Sequence, residues 1–191
     1  MDISFIFKIV VFLYSVIIHE VSHGFMAQSM GDNTAKDAGR LTLNPISHID
    51  LFGSILLPLM LVLGGSPILF GYAKPVPYNP LNLSDRKWGA AKVGLAGPLS
   101  NIMLAMLFGV AYRFLPGSLH SSMLPEFFHY AIMINLWLAI FNLMPIPPLD
   151  GHWLLLTVLP ERYAAFKNFL TRYGLFILLI FIFFFLAFSR P

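Results

Sequence analysis

The sequence predicts an all-α integral membrane protein with four transmembrane helices and a membrane re-entrant helical or β-hairpin element at about residues 51–80. The chain has 191 residues, of which 58% are hydrophobic and only 11% are charged, whereas soluble domains carry about 25% charged residues. Four separate segments are apolar enough to cross a hydrocarbon core, which takes about 20 helical residues. At this length, residues 1–191 are expected to form a single domain.

The four predicted spans lie at residues 3–28, 88–113, 127–145 and 172–189. The first begins without a basic n-region and has no clear cleavage site, so we interpret it as a retained helix rather than a signal peptide. The second has a stripe of mostly small residues at every fourth position, which lets a neighbouring helix approach closely. The fourth is apolar on every face and is expected to face lipid.

A fifth apolar stretch, at residues 51–73, is interrupted by glycine and proline at short intervals. It runs into GYAKPVPYNP, where three prolines within six residues disfavour a helix and favour an extended or edge-strand backbone. Irregular backbone is tolerated at membrane depth only where protein or a water-filled cavity covers it. The stretch is therefore predicted to re-enter the membrane rather than to cross it.

The composition excludes several kinds of chemistry. There are no cysteines, so a metal would have to be held by His, Asp or Glu. The net charge of +3 reflects a shortage of acids, and no run of Lys and Arg is typical of a nucleic-acid surface. We therefore expect the lipid bilayer, and no nucleic acid, as the partner environment.

The first predicted helix contains His19-Glu20-Val21-Ser22-His23, the H-E-x-x-H pattern. Residues four apart share one helix face, so both imidazoles can reach one Zn²⁺ while Glu20 acts on a nearby water. Ionisable groups are costly within a spanning helix and are usually functional. The pattern in this position indicates a metal site more strongly than paired interfacial polar residues.

A catalytic zinc usually has three protein ligands, so a third ligand must come from elsewhere in the chain. Asp150 is the favoured candidate because it follows an apolar helix that the prolines of NLMPIPPLDG must end. An Asx-type turn is the structural alternative for this residue. His152 competes as the ligand, and His48 or Asp50 is possible but less favoured. The other acids lie in polar or terminal stretches.

The combination of HEVSH, AGPLSN and NLMPIPPLDG resembles the site-2 protease family of intramembrane zinc metallopeptidases. This resemblance implies one Zn²⁺ per chain, held by His19, His23 and Asp150, with Glu20 as the catalytic acid/base. It also matches Asn142 to an asparagine implicated in substrate or oxyanion contact. The sequence resembles a minimal branch of the family, since it has neither the inserted PDZ domain nor the regulatory tail of better-known members.

The metal site makes a prediction about topology. His19 and His23 lie near the C-terminal end of the first span, and Asp150 lies just beyond the third, so a shared metal requires these two spans to be parallel. Both termini then lie on the face opposite the site. The positive-inside rule places the site toward the cytoplasm, because nine of the twelve basic residues share its face: Lys36, Arg40, Lys74, Arg86, Lys87, Lys92, Arg162, Lys167 and Arg172. If residues 51–73 are counted as a full span instead, eight basic residues lie on one face of the membrane and four on the other.

These features predict a zinc endopeptidase that cleaves in or near the transmembrane segment of a membrane-protein substrate. GYAKPVPYNP could pair with an extended substrate, which makes Val76 and Tyr78 candidate substrate-binding residues. Asn142 could instead make an ordinary interhelical amide bond, and Asn101 favours that structural role. The alternatives are a membrane metal-binding or transport protein and an inactive protease homologue.

Overall fold

The computed structural model describes residues 3–65, 73–119 and 121–188. The described chain is helical, and no strand occurs within these ranges, so the predicted all-α class is confirmed. The helices are α1 (Ile3–Ser29), α2 (Thr34–Asp37), α3 (Leu57–Leu63), α4 (Gly89–Arg113), α5 (Leu124–Asn142), α6 (Gly151–Val158) and α7 (Ala164–Phe188). Short 3₁₀ turns lie at Pro45–His48, Pro80–Asn82, Gly117–Leu119 and Glu161–Tyr163.

Four helices in the described ranges are long and apolar enough to cross a membrane: α1, α4, α5 and the α7 region. Their outward faces are apolar, as Met103, Trp137 and Phe183 show with at least 60% of their surface exposed. Such surface would be unfavourable in water and suits contact with lipid. The predicted number of four spans is confirmed.

Helices α1, α4 and α5 pack together, and their side-chain contacts define their directions. Lys8 near the start of α1 forms an ion pair with Glu126 near the start of α5, at 2.8 Å. Further along both helices, the Asn135 amide donates to the Ser15 hydroxyl at 2.9 Å. α1 and α5 therefore run parallel, as predicted from a shared metal, while α4 runs in the opposite direction beside both.

The stretch predicted to re-enter contains a π-helical turn at Leu51–Leu56 and helix α3, followed by residues 73–79, which have no regular secondary structure. Their prolines favour an extended backbone, and we call residues 73–79 the extended segment. Residues 66–72 lie outside the described ranges. The helical part of the prediction is found, but the described part of the stretch forms no β-hairpin. Pro75 and Pro77 lack N–H groups, so this extended segment cannot form a continuous ladder of backbone bonds.

The turn between α5 and α6 places Asp150. Helix α5 ends at Asn142, and α6 begins at Gly151 after the proline-rich turn. A Cβ atom at Gly151 would overlap the Leu143 carbonyl, so this close return of the chain requires glycine. A Cβ atom at Gly94 would lie 2.9 Å from the Asp150 carbonyl oxygen. α4 and the start of α6 are therefore in close contact.

Candidate metal centre

Three predicted ligands come together toward the C-terminal ends of α1 and α5. One ligand atom each from His19, His23 and Asp150 lies within 4.8 Å of the other two. The Asp150 Oδ2 atom is 2.9 Å from His19 Nε2 and 3.4 Å from His23 Nε2. Both histidines are buried, and Asp150 is largely covered. Residues four apart on α1 thus meet a carboxylate from a distant turn.

The hydrogen bonds of the histidines determine which nitrogen is available. His19 Nδ1 lies 2.6 Å from the Asn101 Oδ1 atom, and His23 Nδ1 lies 2.7 Å from the Val93 carbonyl oxygen. Both partners are acceptors, so each Nδ1 carries the donated proton. A neutral imidazole has one N–H group, which leaves each Nε2 as a lone pair facing the Asp150 carboxylate. A cation bound between them would satisfy all three acceptors.

Zinc fits this donor set. Tetrahedral ligands bound at about 2.0–2.2 Å lie about 3.3–3.6 Å apart. The distance from Asp150 to His23 falls in this range at 3.4 Å, and the distance to His19 is shorter at 2.9 Å. Metal-bound histidines ordinarily donate their other N–H to a carbonyl or carboxylate, as His19 and His23 do here. The space beside both Nε2 atoms exists because residue 97 is glycine: a Cβ atom there would lie 2.5 Å from His23 Nε2 and 2.6 Å from His19 Nε2.

Asp150 is available as a ligand because it does not cap its own helix. It occupies the N-cap position of α6, yet its side chain makes no capping hydrogen bond. Burial alone would raise the pKa of Asp150, but the neighbouring His19 and His23 outweigh burial and lower the pKa to about 2. The carboxylate is therefore anionic at neutral pH, and the Asx-turn alternative is not what the side chain adopts.

A buried chain of amides supports His19. Asn101, which accepts from His19, donates through Nδ2 to Asn135 Oδ1 at 2.8 Å, and Asn135 donates to the Ser15 hydroxyl at 2.9 Å. Both asparagines are fully buried. Asn101 was expected to be structural, whereas here it also fixes the orientation of a predicted ligand. Asn101 belongs to the AGPLSN motif, and its i, i+4 spacing from Gly97 equally indicates helix packing.

Glu20 points toward the extended segment. Its Oε2 atom accepts a hydrogen bond from the Val76 backbone N–H at 2.8 Å. Tyr78 packs edge-on against Trp153 with ring centroids 6.2 Å apart, and its buried hydroxyl has no partner among the described residues. Burial, together with the charge of Asp150, raises the pKa of Tyr78 to about 12. The segment therefore passes close to the predicted metal site.

The other candidate residues make separate contacts. His152 Nδ1 donates to the Leu149 carbonyl at 2.6 Å, and His48 Nε2 donates to the Thr42 carbonyl at 2.8 Å. The Asp50 carboxylate accepts from the Gly53 N–H at 2.7 Å. The Asn142 amide donates to the carbonyl of Leu138, one turn earlier in α5, at 2.9 Å. In the described ranges, none of these residues joins the cluster of His19, His23 and Asp150.

A helical membrane chain with a buried His-His-carboxylate cluster and an adjoining Glu has the site of a zinc metalloprotease. The family model described as Peptidase family M50 matches residues 7–125 and 109–181, and the chain belongs to this family. Among its relatives is YwhC of Bacillus subtilis, a candidate zinc metalloprotease that is 36% identical over 180 residues. That alignment covers 91% of this chain and 78% of YwhC.

Two further relatives are longer proteins. Rip2 of Mycobacterium tuberculosis, also a candidate zinc metalloprotease, is 33% identical over 78% of this chain and 55% of its own length. Zinc metalloprotease MJ0392 of Methanocaldococcus jannaschii is 24% identical over 81% of this chain and 34% of its own length. A search of solved structures gives no significant match. The chain is thus a multi-pass, site-2-type zinc metalloprotease with Zn²⁺ as its cofactor.

Proposed function

We propose that this protein hydrolyses a peptide bond in or near the transmembrane segment of a membrane-protein substrate, as in regulated intramembrane proteolysis. The observation that carries the proposal is the convergence of two histidine lone pairs and one carboxylate at the ends of apolar helices. A soluble peptide would not need a site embedded in such helices. A substrate that itself crosses the bilayer can reach it laterally.

His19, His23 and Asp150 would hold the zinc ion. When bound, zinc lowers the pKa of water toward about 7 and polarises the scissile carbonyl. Asn101 and the Val93 carbonyl keep the Nδ1 protons of the two histidines in place, so both Nε2 atoms stay available. The anionic Asp150 offsets part of the charge of the ion.

Glu20 would carry the proton. Its carboxylate takes a proton from the attacking water as the new C–O bond forms, and then delivers that proton to the leaving amine as the C–N bond breaks. Its Oε2 atom accepts a hydrogen bond from the Val76 N–H, and its Oε1 atom has no hydrogen bond to the described residues. This arrangement leaves one oxygen for the proton.

The remaining predicted site residues would act on the substrate. Asn142 lies at the end of α5, where its second amide N–H could donate to the substrate backbone or to the developing oxyanion. The extended segment containing Val76 and Tyr78 could pair with an unwound substrate strand. The Val76 N–H is engaged with Glu20, so such pairing would have to use other backbone groups of the segment.

The active site would face the cytoplasm, with both termini on the opposite side of the cell membrane. The excess of basic residues on the active-site face supports this orientation. Because the chain has no cysteine, single-cysteine variants give an unambiguous labelling test. In intact cells, a membrane-impermeant maleimide should label Ser118→Cys and not Asp37→Cys; the reverse pattern would overturn the orientation.

The proteolytic function is tested by pairing zinc content with cleavage. Purified wild type, Asp150→Ala and Glu20→Gln would be compared for bound zinc, and for hydrolysis of a single-pass model substrate in proteoliposomes. We expect the wild type to bind zinc and to cleave, Asp150→Ala to lose zinc, and Glu20→Gln to keep zinc without cleaving. Undiminished hydrolysis by Glu20→Gln would refute this mechanism. A zinc-loaded wild type that cleaves none of a panel of substrates would favour the metal-binding or transport alternative.

A further inference from the structure

The carboxylate of Glu20 is held by a residue far away in the sequence. Its Oε2 atom accepts the Val76 N–H at 2.8 Å, across 56 positions of sequence separation. Val76 is the sole backbone donor of the Pro75-Val76-Pro77 tripeptide, because proline has no N–H. The N–H of a single residue in this stretch is thus directed at the predicted proton carrier.

The extended segment is fixed in position by bonds that do not involve Glu20. The Lys74 N–H donates to the His48 carbonyl at 2.9 Å, and the Lys74 carbonyl accepts from the Arg40 guanidinium at 2.6 Å. At the other end, the Asn79 N–H donates to the buried Asp32 carboxylate at 2.7 Å. The donor on Val76 is therefore held in place from both sides.

The side chain of Val76 adds a third attachment. It is 6% exposed, and it packs so closely on α1 that a Cβ atom at Gly24 would lie 2.8 Å from Val76 Cγ1. Gly24 is four residues after Glu20 on the same helix. The contact therefore fixes the distance between the segment and the turn of α1 that carries the carboxylate.

We propose that the main-chain N–H of Val76 is a positioning group for catalysis, which holds one oxygen of Glu20 so that the other receives and returns the proton. This inference rests on the proposed role of Glu20. The bond is compatible with both protonation states, since Oε2 can accept from Val76 whether or not Oε1 carries the proton. The carboxyl group then need not reorient between taking the proton from water and giving it to the amine.

The donor can be removed with little change to the backbone. Val76→Pro deletes the N–H at a position already flanked by two prolines, where an extended backbone is favoured. Val76→Ala keeps the N–H and loses most of the side chain, so it measures the packing contribution separately. We expect both variants to bind zinc, with kcat about 10–100-fold lower in Val76→Pro than in Val76→Ala and KM within about twofold.

A measurement independent of activity tests the bond itself. In wild-type protein, the Val76 amide should exchange its proton slowly with deuterated water, and Glu20→Ala should accelerate this exchange at least about tenfold. The Asn79 amide, which is held by Asp32, serves as the internal control and should not change. This readout retains its value if Val76→Pro fails to fold.

Two results would overturn the proposal: equal kcat in Val76→Pro and Val76→Ala, or unchanged exchange of the Val76 amide in Glu20→Ala. Failure of the proposed function has a different signature. In that case the zinc-loaded wild type itself would hydrolyse no substrate, and the positioning role would fall with it. A functional wild type with insensitive Val76 variants would refute the positioning role alone.

Discussion

Gly97→Ala should remove zinc from the protein without unfolding it. The added methyl carbon would start 2.5 and 2.6 Å from the Nε2 atoms of His23 and His19. An ordinary van der Waals contact needs at least 3.4 Å, so the imidazoles would have to retreat by about 0.8–0.9 Å. Metal–ligand distances tolerate about 0.2 Å. The displacement exceeds that tolerance about fourfold, and we expect zinc affinity to fall at least about 100-fold.

The matched control lies on the same helix and in the same stripe of small residues. A Cβ atom at Gly109 meets nothing within 4 Å, so Gly109→Ala should keep wild-type affinity and gain about 0.5–1 kcal/mol of helix stability. Affinity would be measured by competition with a chromophoric chelator in detergent, and folding by thermal unfolding of the apo proteins. Stoichiometric zinc of wild-type affinity in Gly97→Ala would refute the placement of the ion between these histidines.

Three further changes test the surroundings of the site. Asn101→Leu should lower zinc affinity about 10–100-fold in the same competition assay, whereas Asn101→Asp, which keeps an acceptor oxygen, should not. Equal zinc affinities of the two variants would show that this acceptor does not orient His19. Gly151→Ala should lower both zinc content and the unfolding midpoint because its Cβ would meet the Leu143 carbonyl, while Gly117→Ala, where a Cβ meets nothing within 4 Å, should change neither. At Asp32, burial raises the pKa but hydrogen bonds from Thr34, Asn79 and Asn82 outweigh it and lower the pKa below 3.8. Its stabilisation is therefore fully present above about pH 4 and is lost as pH falls through the lowered value. Asp32→Asn should accordingly cost about 1–3 kcal/mol at pH 7, and progressively less in thermal unfolding scans toward pH 3.

The four spans were predictable because hydropathy over about 20 residues is a property of the local sequence. The ends of the spans were less predictable. The third span was predicted at residues 127–145 and is observed at Leu124–Asn142. Pro125 occupies the first turn, where a missing N–H costs nothing, so the helix can begin before its apolar run. The prolines that follow Asn142 end the helix three residues before the predicted boundary.

The cluster of His19, His23 and Asp150 was predictable because H-E-x-x-H is a local pattern and the chain offers few other acids. The hydrogen-bonding partners that hold these side chains in place were not predictable. The Val93 carbonyl, the Asn101–Asn135 amide chain and the Val76 donor reach the site through contacts between residues 34 to 86 positions apart. Nothing in the local sequence of a valine indicates that its N–H or carbonyl will form a hydrogen bond with a distant histidine or glutamate.

The observed geometry favours one of the two topologies that hydropathy allowed. If residues 51–73 crossed the membrane completely, Asp150 and the histidines would lie at opposite faces of a hydrocarbon core about 30 Å thick. Their ligand atoms instead lie within 4.8 Å of one another. The parallel direction of α1 and α5 follows separately from the Lys8–Glu126 pair and the Ser15–Asn135 bond, which involve no metal ligand. Parallel α1 and α5 require an odd number of crossings between them. Among the described residues between these two helices, α4 alone is a helix long and apolar enough to cross, which supports the proposal that the stretch before it returns to the side it entered.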